Sequence, residues 1–285
     1  MSNGELINNM KKNFKTDYTI YAFLSIYLII GLSIYKDFGI GIEEHFQRKS
    51  GFYWLNYILD FTDFDFLKNS AQEKYNQIKT IPNLVDIETH LNYGILFDFP
   101  MALYETIFNL KEKSIFESRH LANFLIFFTS GVYFFKIIKI RFNNRFISLI
   151  GVSIYLLLPK SFGSSFFDSK DLFFLSILTI NYYFYVKFEI NRNNLNLFYF
   201  ALFSAFSTSS RIFGLMVPIS FIIIEFFYFI NSKSLKRIKY TVIYLLFFIF
   251  SLFIHWPYIW MLAADFNYYL EPFSVRSDLK VFFDG

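Results

Sequence analysis

The chain has 285 residues, of which 55% are hydrophobic and 24% aromatic, and it carries a net charge of +4 and no cysteine. Its mean hydropathy is +0.37, and its long apolar runs predict an all-helical, polytopic membrane protein rather than a soluble domain. The absence of cysteine excludes disulfides, thiolate metal sites and a cysteine nucleophile. The positive charge is spread over short loops, which indicates membrane orientation and not a nucleic-acid partner.

The first predicted element is a retained signal anchor. Lysines in the N-terminal segment 1–17 precede an apolar helix over 18–34, and no small-residue cleavage site follows that helix. Further spans are predicted at 119–138, 146–158, 172–187, 195–207, 213–230 and 241–258. These make a bundle of about seven transmembrane helices. The tail 259–285 contains no further span, and we expect the sequence to be a truncated, front part of a longer chain.

Loop charge predicts the orientation. If the N-terminus lies inside, the inner loops 139–145, 188–194 and 231–240 hold a clear excess of lysine and arginine, with only Glu189 opposing them. The positive-inside rule therefore predicts a cytoplasmic N-terminus and an extracytoplasmic first loop, 35–118. We expect one membrane module over the whole chain, located in a bacterial cytoplasmic membrane.

The long first loop is predicted to contain two amphipathic helices that lie on the membrane surface. Apolar residues recur at near-helical spacing over 42–59, and a second such helix is predicted over 97–110, with Asp98 in its first turn. The polar segment 60–93 between them is expected to form turns and short helices. A loop of this length is usually functional or disordered.

An acidic pair, Glu43 and Glu44, comes shortly after the first span and is followed by His45. One reading is a solvated helix start, because acidic residues favour a helix N-terminus. The other is a general base or metal ligand at the water–lipid boundary. Adjacent carboxylates on a helix point about 100° apart, so we expect one to act while its neighbour anchors or binds a cation.

Other polar residues fall near the same predicted face. Arg119 opens the second span, Lys170 and Asp171 lie at the mouth of a later one, Arg211 interrupts two apolar helices, and His255 closes the last span. Taken singly, each can be a snorkelling cation, a tight turn or part of an interfacial belt. The predicted topology brings all of them to the side of Glu43 and Glu44. Arginine also matches phosphate, since its planar fork binds two oxygens.

The order of these parts resembles the GT-C membrane glycosyltransferases, nearest the protein O-mannosyltransferase-like and aminoarabinose-transferase-like branch. The resemblance covers nearly the whole chain. In that family the acidic motif is usually Asp-Glu, and Glu43-Glu44 stands in its place here, which leaves open which of the two is the base. The resemblance implies a sugar donor on a polyprenyl phosphate and transfer outside the membrane to an acceptor lipid, glycan or protein, with inversion at the sugar carbon.

The resemblance also implies roles for individual residues. Glu43 is then the general base for an acceptor hydroxyl or amine, and Arg211, with Arg119 or Lys170, holds the leaving lipid phosphate. The substrate-binding set as a whole comprises Arg211, Arg119, His45, Lys170, Asp171 and His255. The acidic pair, His45 and Asp171 offer ligands for a divalent cation, but we expect no obligatory metal or other cofactor.

Two other functional classes stay open on the sequence alone. A transporter or flippase for a lipid-linked or anionic substrate tends to carry polar residues deep within its spans. Here only one carboxylate, Glu225, lies well inside a predicted span, and this favours an enzyme at the interface. The other class is a non-catalytic membrane subunit.

Overall fold

The computed structural model describes residues 18–264, apart from 83, 86, 88–90 and 92. Within these residues the regular structure is helical and contains no strand, which confirms the predicted all-α class. The predicted N-terminal segment 1–17 and nearly all of the predicted tail 259–285 lie outside the described residues.

The helices follow one another with short connections. The first half of the chain forms α1 (Tyr18–Ile34), α2 (Glu44–Leu59), α3 (Asp65–Lys79), α4 (Asp98–Ile107) and α5 (Glu112–Phe142). The second half forms α6 (Arg145–Leu157), α7 (Pro159–Phe167), α8 (Asp171–Ile190), α9 (Asn194–Ser210), a 3-10 turn (Ile212–Leu215), α10 (Met216–Ser232), α11 (Leu235–His255) and α12 (Tyr258–Ala264).

The described helices include three that are long and apolar enough to cross a membrane: α5, α10 with its 3-10 turn, and α11. The pair α6 and α7, bent by 55°, gives a fourth if it crosses as one broken span. Helix α1 is apolar but has only 17 residues, and tyrosines and an asparagine lower the hydropathy of α8. The protein is therefore an integral membrane protein with three to four candidate spans among its described residues, fewer than the seven predicted.

Local sequence signals set several helix ends. Asn144 caps α6, and its side chain accepts hydrogen bonds from two backbone N–H groups of the first turn at 2.9 and 3.2 Å. Asn193 caps α9 in the same way at 2.8 Å. Pro159 occupies the first turn of α7, where its missing N–H costs nothing, and the bend between α6 and α7 falls directly before it.

The apolar helices pack around two aromatic clusters. The first joins α1, α5, α6 and α7, and in it Phe124 stacks on Phe166 with ring centroids 5.0 Å apart. The second joins α8, α9, α10 and α11 around Phe200, Phe221 and Tyr244, all of which are buried. Edge-on and offset contacts between such rings add to the stability given by their burial.

Helices α2, α3 and α4 form a layer at one end of the bundle, which we call the cap. Helix α2 begins and ends close to its predicted bounds, but its apolar side does not lie free on a membrane surface. Phe52 and Leu55 pack against α3 and α4, and Trp54 packs into a cluster with Trp256. Protein covers this face because three elements converge on it, which sequence periodicity alone does not reveal.

A buried carboxylate holds the cap together. Glu105 of α4 is 1% exposed and accepts two hydrogen bonds from Arg48 of α2, at 2.9 and 2.6 Å. Lys74 of α3 lies 3.7 Å from the same carboxylate. A buried carboxylate is costly unless it is paired and hydrogen-bonded. All three helices of the cap therefore contribute to one charge cluster.

Glu225, the carboxylate inside a predicted span, is also neutralised by protein groups. It is 2% exposed on α10 and accepts hydrogen bonds from Arg192 (2.8 and 3.3 Å) and from Arg237 (3.2 Å to each oxygen). Arg192 also pairs with the more exposed Glu189 at 2.6 Å. The charge at Glu225 thus ties α10 to α11 and to the connection between α8 and α9, which is a structural role and not a substrate path.

We expect Glu225→Gln to destabilise the protein by about 3 kcal/mol, because two arginines lose the buried carboxylate that they share. A lower midpoint of thermal unfolding in detergent measures this effect. Glu189→Gln is the matched control, since its side chain is 31% exposed and pairs with Arg192 at 2.6 Å. Equal effects of the two substitutions would show that the burial of Glu225 is not what matters.

Candidate active site

Four segments meet between the cap and the bundle: the start of α2, the start of α4, the turn before α8 and the end of α9. They enclose a cavity of about 40 Å³. Its polar lining consists of Gln47, Ser50, Asp98, Ser169, Lys170 and Ser210. Hydroxyl, amide and charged groups thus converge on one small space, bordered by aromatic rings.

Two glycines allow these segments to approach so closely. A Cβ atom on Gly51 would lie 2.4 Å from the carbonyl oxygen of Asp98, so only glycine lets α2 approach the start of α4. A Cβ atom on Gly94 would lie 2.2 Å from the carbonyl oxygen of Ser209, and the Gly94 N–H donates a hydrogen bond to that oxygen at 2.8 Å. The backbone before α4 is therefore fastened to the end of α9.

Glu43 borders this site. Its side chain is 62% exposed, and one carboxylate oxygen lies 3.6 Å from the ammonium nitrogen of Lys170. That ammonium also lies over the ring of Tyr93, 4.2 Å from its centroid. The arrangement fixes the cation from two sides, while the carboxylate stays open to solvent and to a ligand.

Glu44 points elsewhere and is buried. One oxygen accepts a hydrogen bond from the backbone N–H of Gly41 at 2.6 Å and lies 3.1 Å from Nε2 of His120. The other ring nitrogen of His120 lies 3.4 Å from the carbonyl oxygen of Tyr35. Glu44 thus fastens the connection between α1 and α2 to α5. The geometry favours Glu43 as the available carboxylate and Glu44 as an anchor.

Arg119 is buried inside α5 and pairs with Asp98 at the start of α4. Its Nε and Nη1 atoms find no hydrogen-bond partner among the described residues, and its guanidinium lies over the ring of Phe97, 5.5 Å from the centroid. Burial raises the pKa of Asp98 from 3.8 to about 6, and the neighbouring Arg119 opposes that rise. The pair joins the cap to the bundle beside the cavity.

Arg211 follows α9 and forms an ion pair with Asp171, the first residue of α8. Between these elements, the carboxylate of Asp168 accepts hydrogen bonds from the backbone N–H groups of Lys170 (3.2 Å) and Asp171 (2.7 Å). Burial raises the pKa of Asp168, and hydrogen bonds from the backbone N–H groups of Lys170 and Leu172 act against that rise. Asp168 therefore sets the turn that presents Lys170 and Asp171.

The two predicted histidines lie apart from the cavity. His45 lines a cleft of about 990 Å³ on the other side of α2, and its ring packs edge-on against Phe116 at 5.0 Å. Burial lowers the pKa of His45, and Arg48 acts in the same direction. His255, at the end of α11, packs edge-on against Phe206 at 4.8 Å. Neither ring lines the cavity, although both belonged to the predicted substrate-binding set.

The structure adds residues that the sequence did not single out for the site. Asp98 was read only as a helix N-terminal acid. The signal for the role of Asp98 would have been its ion pair with Arg119, which joins the predicted surface helix to the second span. Gln47 and Ser169 hydrogen-bond to each other across the cavity, 122 positions apart, and His120 holds Glu44. Periodicity offers no signal for contacts of such long range.

An apolar groove of about 560 Å³ lies among α5, α8, α9 and α10. Its lining includes Phe174, Leu178, Tyr182, Phe213, Val217 and Phe221. At one end of the groove, Phe174 follows Asp171 by one helical turn and Phe213 stands two residues after Arg211. Residues that line the groove thus follow both Asp171 and Arg211 closely along the chain.

The fold and the site define a helical membrane protein with a charged cavity at one end of its bundle and an apolar groove beside it. Residues 94–259, more than half of the chain, match the family model described as dolichyl-phosphate-mannose-protein mannosyltransferase. The chain belongs to this family and is a membrane glycosyltransferase of the GT-C type, which confirms the predicted resemblance. The matched segment includes Arg119, Lys170 and Arg211 but begins after Glu43. No curated protein and no solved structure matches the chain.

Gly94→Ala should lower turnover strongly, because its Cβ atom would force the backbone before α4 away from Ser209. The rate of sugar transfer, measured on protein purified from membranes, checks this. Gly39→Ala is the matched control, since nothing lies within 4 Å of a Cβ atom placed there. A similar loss of rate in both variants would contradict the proposed close contact.

Turnover should decline as the pH falls through about 6, because protonated Asp98 no longer forms an ion pair with Arg119. In the unfolded chain the pKa of Asp98 returns towards 3.8, so between pH 6 and 4 the folded state binds the extra proton. The contribution of this group to stability therefore rises as the pH falls.

Activity and stability thus move in opposite directions, which separates the titration of Asp98 from acid unfolding. A pH–rate profile, together with unfolding midpoints of the native protein and of Asp98→Asn, tests both. An acidic limb near pH 6 that persists unchanged in Asp98→Asn would assign it to another group.

Proposed function

We propose that the protein transfers a sugar from a polyprenyl-phosphate donor to an acceptor on the extracytoplasmic face of the membrane. The observation that supports this most directly is the position of Arg211 in the chain, between Ser210, which lines the charged cavity, and Phe213, which lines the apolar groove. A lipid with an anionic head and a long apolar tail matches both features at once.

In this proposal the polyprenyl tail lies in the groove and the donor phosphate binds Arg211 and Lys170. Arginine offers a planar pair of N–H groups to two phosphate oxygens, and lysine adds a point charge. Arg119 supplies further positive charge behind the cavity, where its Nε and Nη1 atoms have no partner among the described residues. The sugar then lies at the cavity, near Gln47 and Ser169.

Glu43 acts as the general base. It accepts the proton of an acceptor hydroxyl or amine, and the acceptor atom forms a bond to the anomeric carbon of the sugar. The bond from that carbon to the phosphate oxygen breaks, and its electron pair leaves with the phosphate. Arg211 and Lys170 stabilise the growing negative charge without proton transfer. Attack from the side opposite the phosphate inverts the sugar carbon.

The topology proposed for this reaction has seven crossings: α1, α5, the bent pair α6–α7, α8, α9, α10 and α11. The N-terminus is then cytoplasmic, and the cap, the turn before α8 and the end of α9 all lie on the extracytoplasmic side of a bacterial cytoplasmic membrane. The convergence of these three segments on one cavity supports this arrangement. The acceptor is a lipid, a glycan or a protein.

The proposed mechanism assigns no step to a metal ion. Positive charge at the leaving phosphate comes from guanidinium and ammonium groups of the chain. Within the part of the chain that the structure describes, no three histidine, aspartate or glutamate side chains lie together as a ligand set.

Glu43→Gln should lower the release of polyprenyl phosphate from a polyprenyl-phosphate sugar by about a hundredfold or more, because the amide cannot take up the acceptor proton. The measurement is product release by the purified full-length protein with the acceptor present. Glu73→Gln is the matched control, since it makes the same change at an exposed position of α3, away from the cavity.

Glu44→Gln should lower the unfolding midpoint, because it weakens the anchor to His120. Full turnover in Glu43→Gln would show that Glu43 is not the general base. Full turnover in both Glu43→Gln and Glu44→Gln would remove the acidic pair from the mechanism altogether.

A further inference from the structure

The ion pairs among the described residues differ in which partner is exposed. In some the carboxylate is buried, as for Glu105 and Glu225, whose side chains are each 2% exposed, and Asp98 beside the cavity is only 14% exposed. In two pairs near the cavity the carboxylate is exposed and the cation is the more buried partner. Glu43 is 62% exposed and its partner Lys170 is 22% exposed. Asp171 is 64% exposed against 31% for Arg211.

Both cations have contacts or donor groups besides their carboxylates. Lys170 lies on the ring of Tyr93 and follows the turn that Asp168 fixes. The Nε atom of Arg211 is buried and has no hydrogen-bond partner among the described residues. Glu43 and Asp171, in contrast, are exposed and can turn towards solvent. An exposed pair of this type contributes little to stability, so its exchange for another anion costs little.

We propose that Glu43 and Asp171 are internal counter-ions, which occupy Lys170 and Arg211 in the donor-free protein and are displaced by the phosphate of the lipid donor. This inference rests on the proposed function, because it takes the same two cations as the phosphate site. One phosphate group that contacts both cations replaces two separate and exposed carboxylates.

The exchange gives the reaction an order. In the donor-free protein one carboxylate oxygen of Glu43 faces the ammonium group of Lys170 at 3.6 Å. When the donor phosphate takes over Lys170, Glu43 is released beside the sugar and becomes available to the acceptor. The donor therefore binds before the acceptor is deprotonated, and the base is idle without a donor.

The same exchange assists product release. After transfer, polyprenyl phosphate remains on Lys170 and Arg211 with one more negative charge than in the donor. Asp171 and Glu43 compete for these cations as the product leaves. Asp171 thus lowers the affinity for the lipid phosphate and takes no part in bond making or breaking, so it is a positioning residue for Arg211 and not a catalytic one.

The test is the affinity of the purified full-length protein, in nanodiscs, for polyprenyl monophosphate. Asp171→Asn should bind this probe about two- to fivefold more tightly, because Arg211 loses its competing partner. Glu43→Gln should also tighten binding, although it abolishes turnover. Asp65→Asn is the matched control: it removes the same charge from an exposed position of α3, and its affinity should not change.

Arg211→Ala in the same assay separates the two proposals. Unchanged affinity in Arg211→Ala overturns the phosphate site itself. Weaker binding in Arg211→Ala supports the phosphate site. If binding is at the same time unchanged or weaker in both Asp171→Asn and Glu43→Gln, the phosphate site stands and the displacement is overturned.

Two further measurements guard the result against changes in folding or in overall charge. Asp171→Ser removes the same charge with a smaller side chain, and it should tighten binding as Asp171→Asn does. Product inhibition by polyprenyl phosphate should be stronger in Asp171→Asn than in the native protein. Equal tightening in Asp65→Asn would assign the effect to overall charge and overturn the displacement.

Discussion

The ion pair between Asp98 and Arg119 lies where α4 of the cap meets α5 of the bundle, with both side chains largely out of water. Burial of either charge alone in this position would cost much free energy, and the opposite charge of the partner lowers that cost. The pair helps to set the position of the cap over the bundle, together with the contacts of Glu44 with His120 and of Gln47 with Ser169. The cavity beside the pair forms where α2 and α4 lie against the bundle, and Gly51 allows these two helices to touch.

Charge is distributed through the molecule according to what each site must do. Around Glu105 and Glu225 each buried carboxylate faces two cations, and such clusters fix helices relative to one another. Near the cavity, Glu43 and Asp171 each face a single cation at the edge of solvent. The first arrangement resists change, and the second allows one anion to replace another. Membership of a glycosyltransferase family agrees with a rigid frame that surrounds an exchangeable site.

Much of the fold could be predicted from the order of apolar and polar runs. Helix α1 has the predicted bounds, and α2 and α4 begin within two residues of their predicted starts. No helix was predicted between the spans 146–158 and 172–187, because the serines and the lysine of α7 hide a helix that Pro159 begins. The number of spans was less secure, since α8 and α9 hold polar residues that face other helices and not lipid.

The candidate site was only half visible in the sequence. Glu43, Lys170, Asp171 and Arg211 stood out because the predicted topology brings these charged residues to one face of the membrane. The division of labour between Glu43 and Glu44 could not be read from their adjacency. It depends on His120, which reaches Glu44 from 76 positions away.

The bend at Pro159 also affects the surrounding lipid. Helix α6 has 13 residues and rises about 20 Å, which is well short of a hydrocarbon layer about 30 Å thick. A span of this length is accommodated by local thinning of the bilayer or by the following helix completing the crossing at a slant. Thinning draws the water–lipid boundary inwards beside α7 and the turn before α8. The hydrophobic mismatch of one short helix would then shorten the distance that a membrane-bound substrate travels to Lys170.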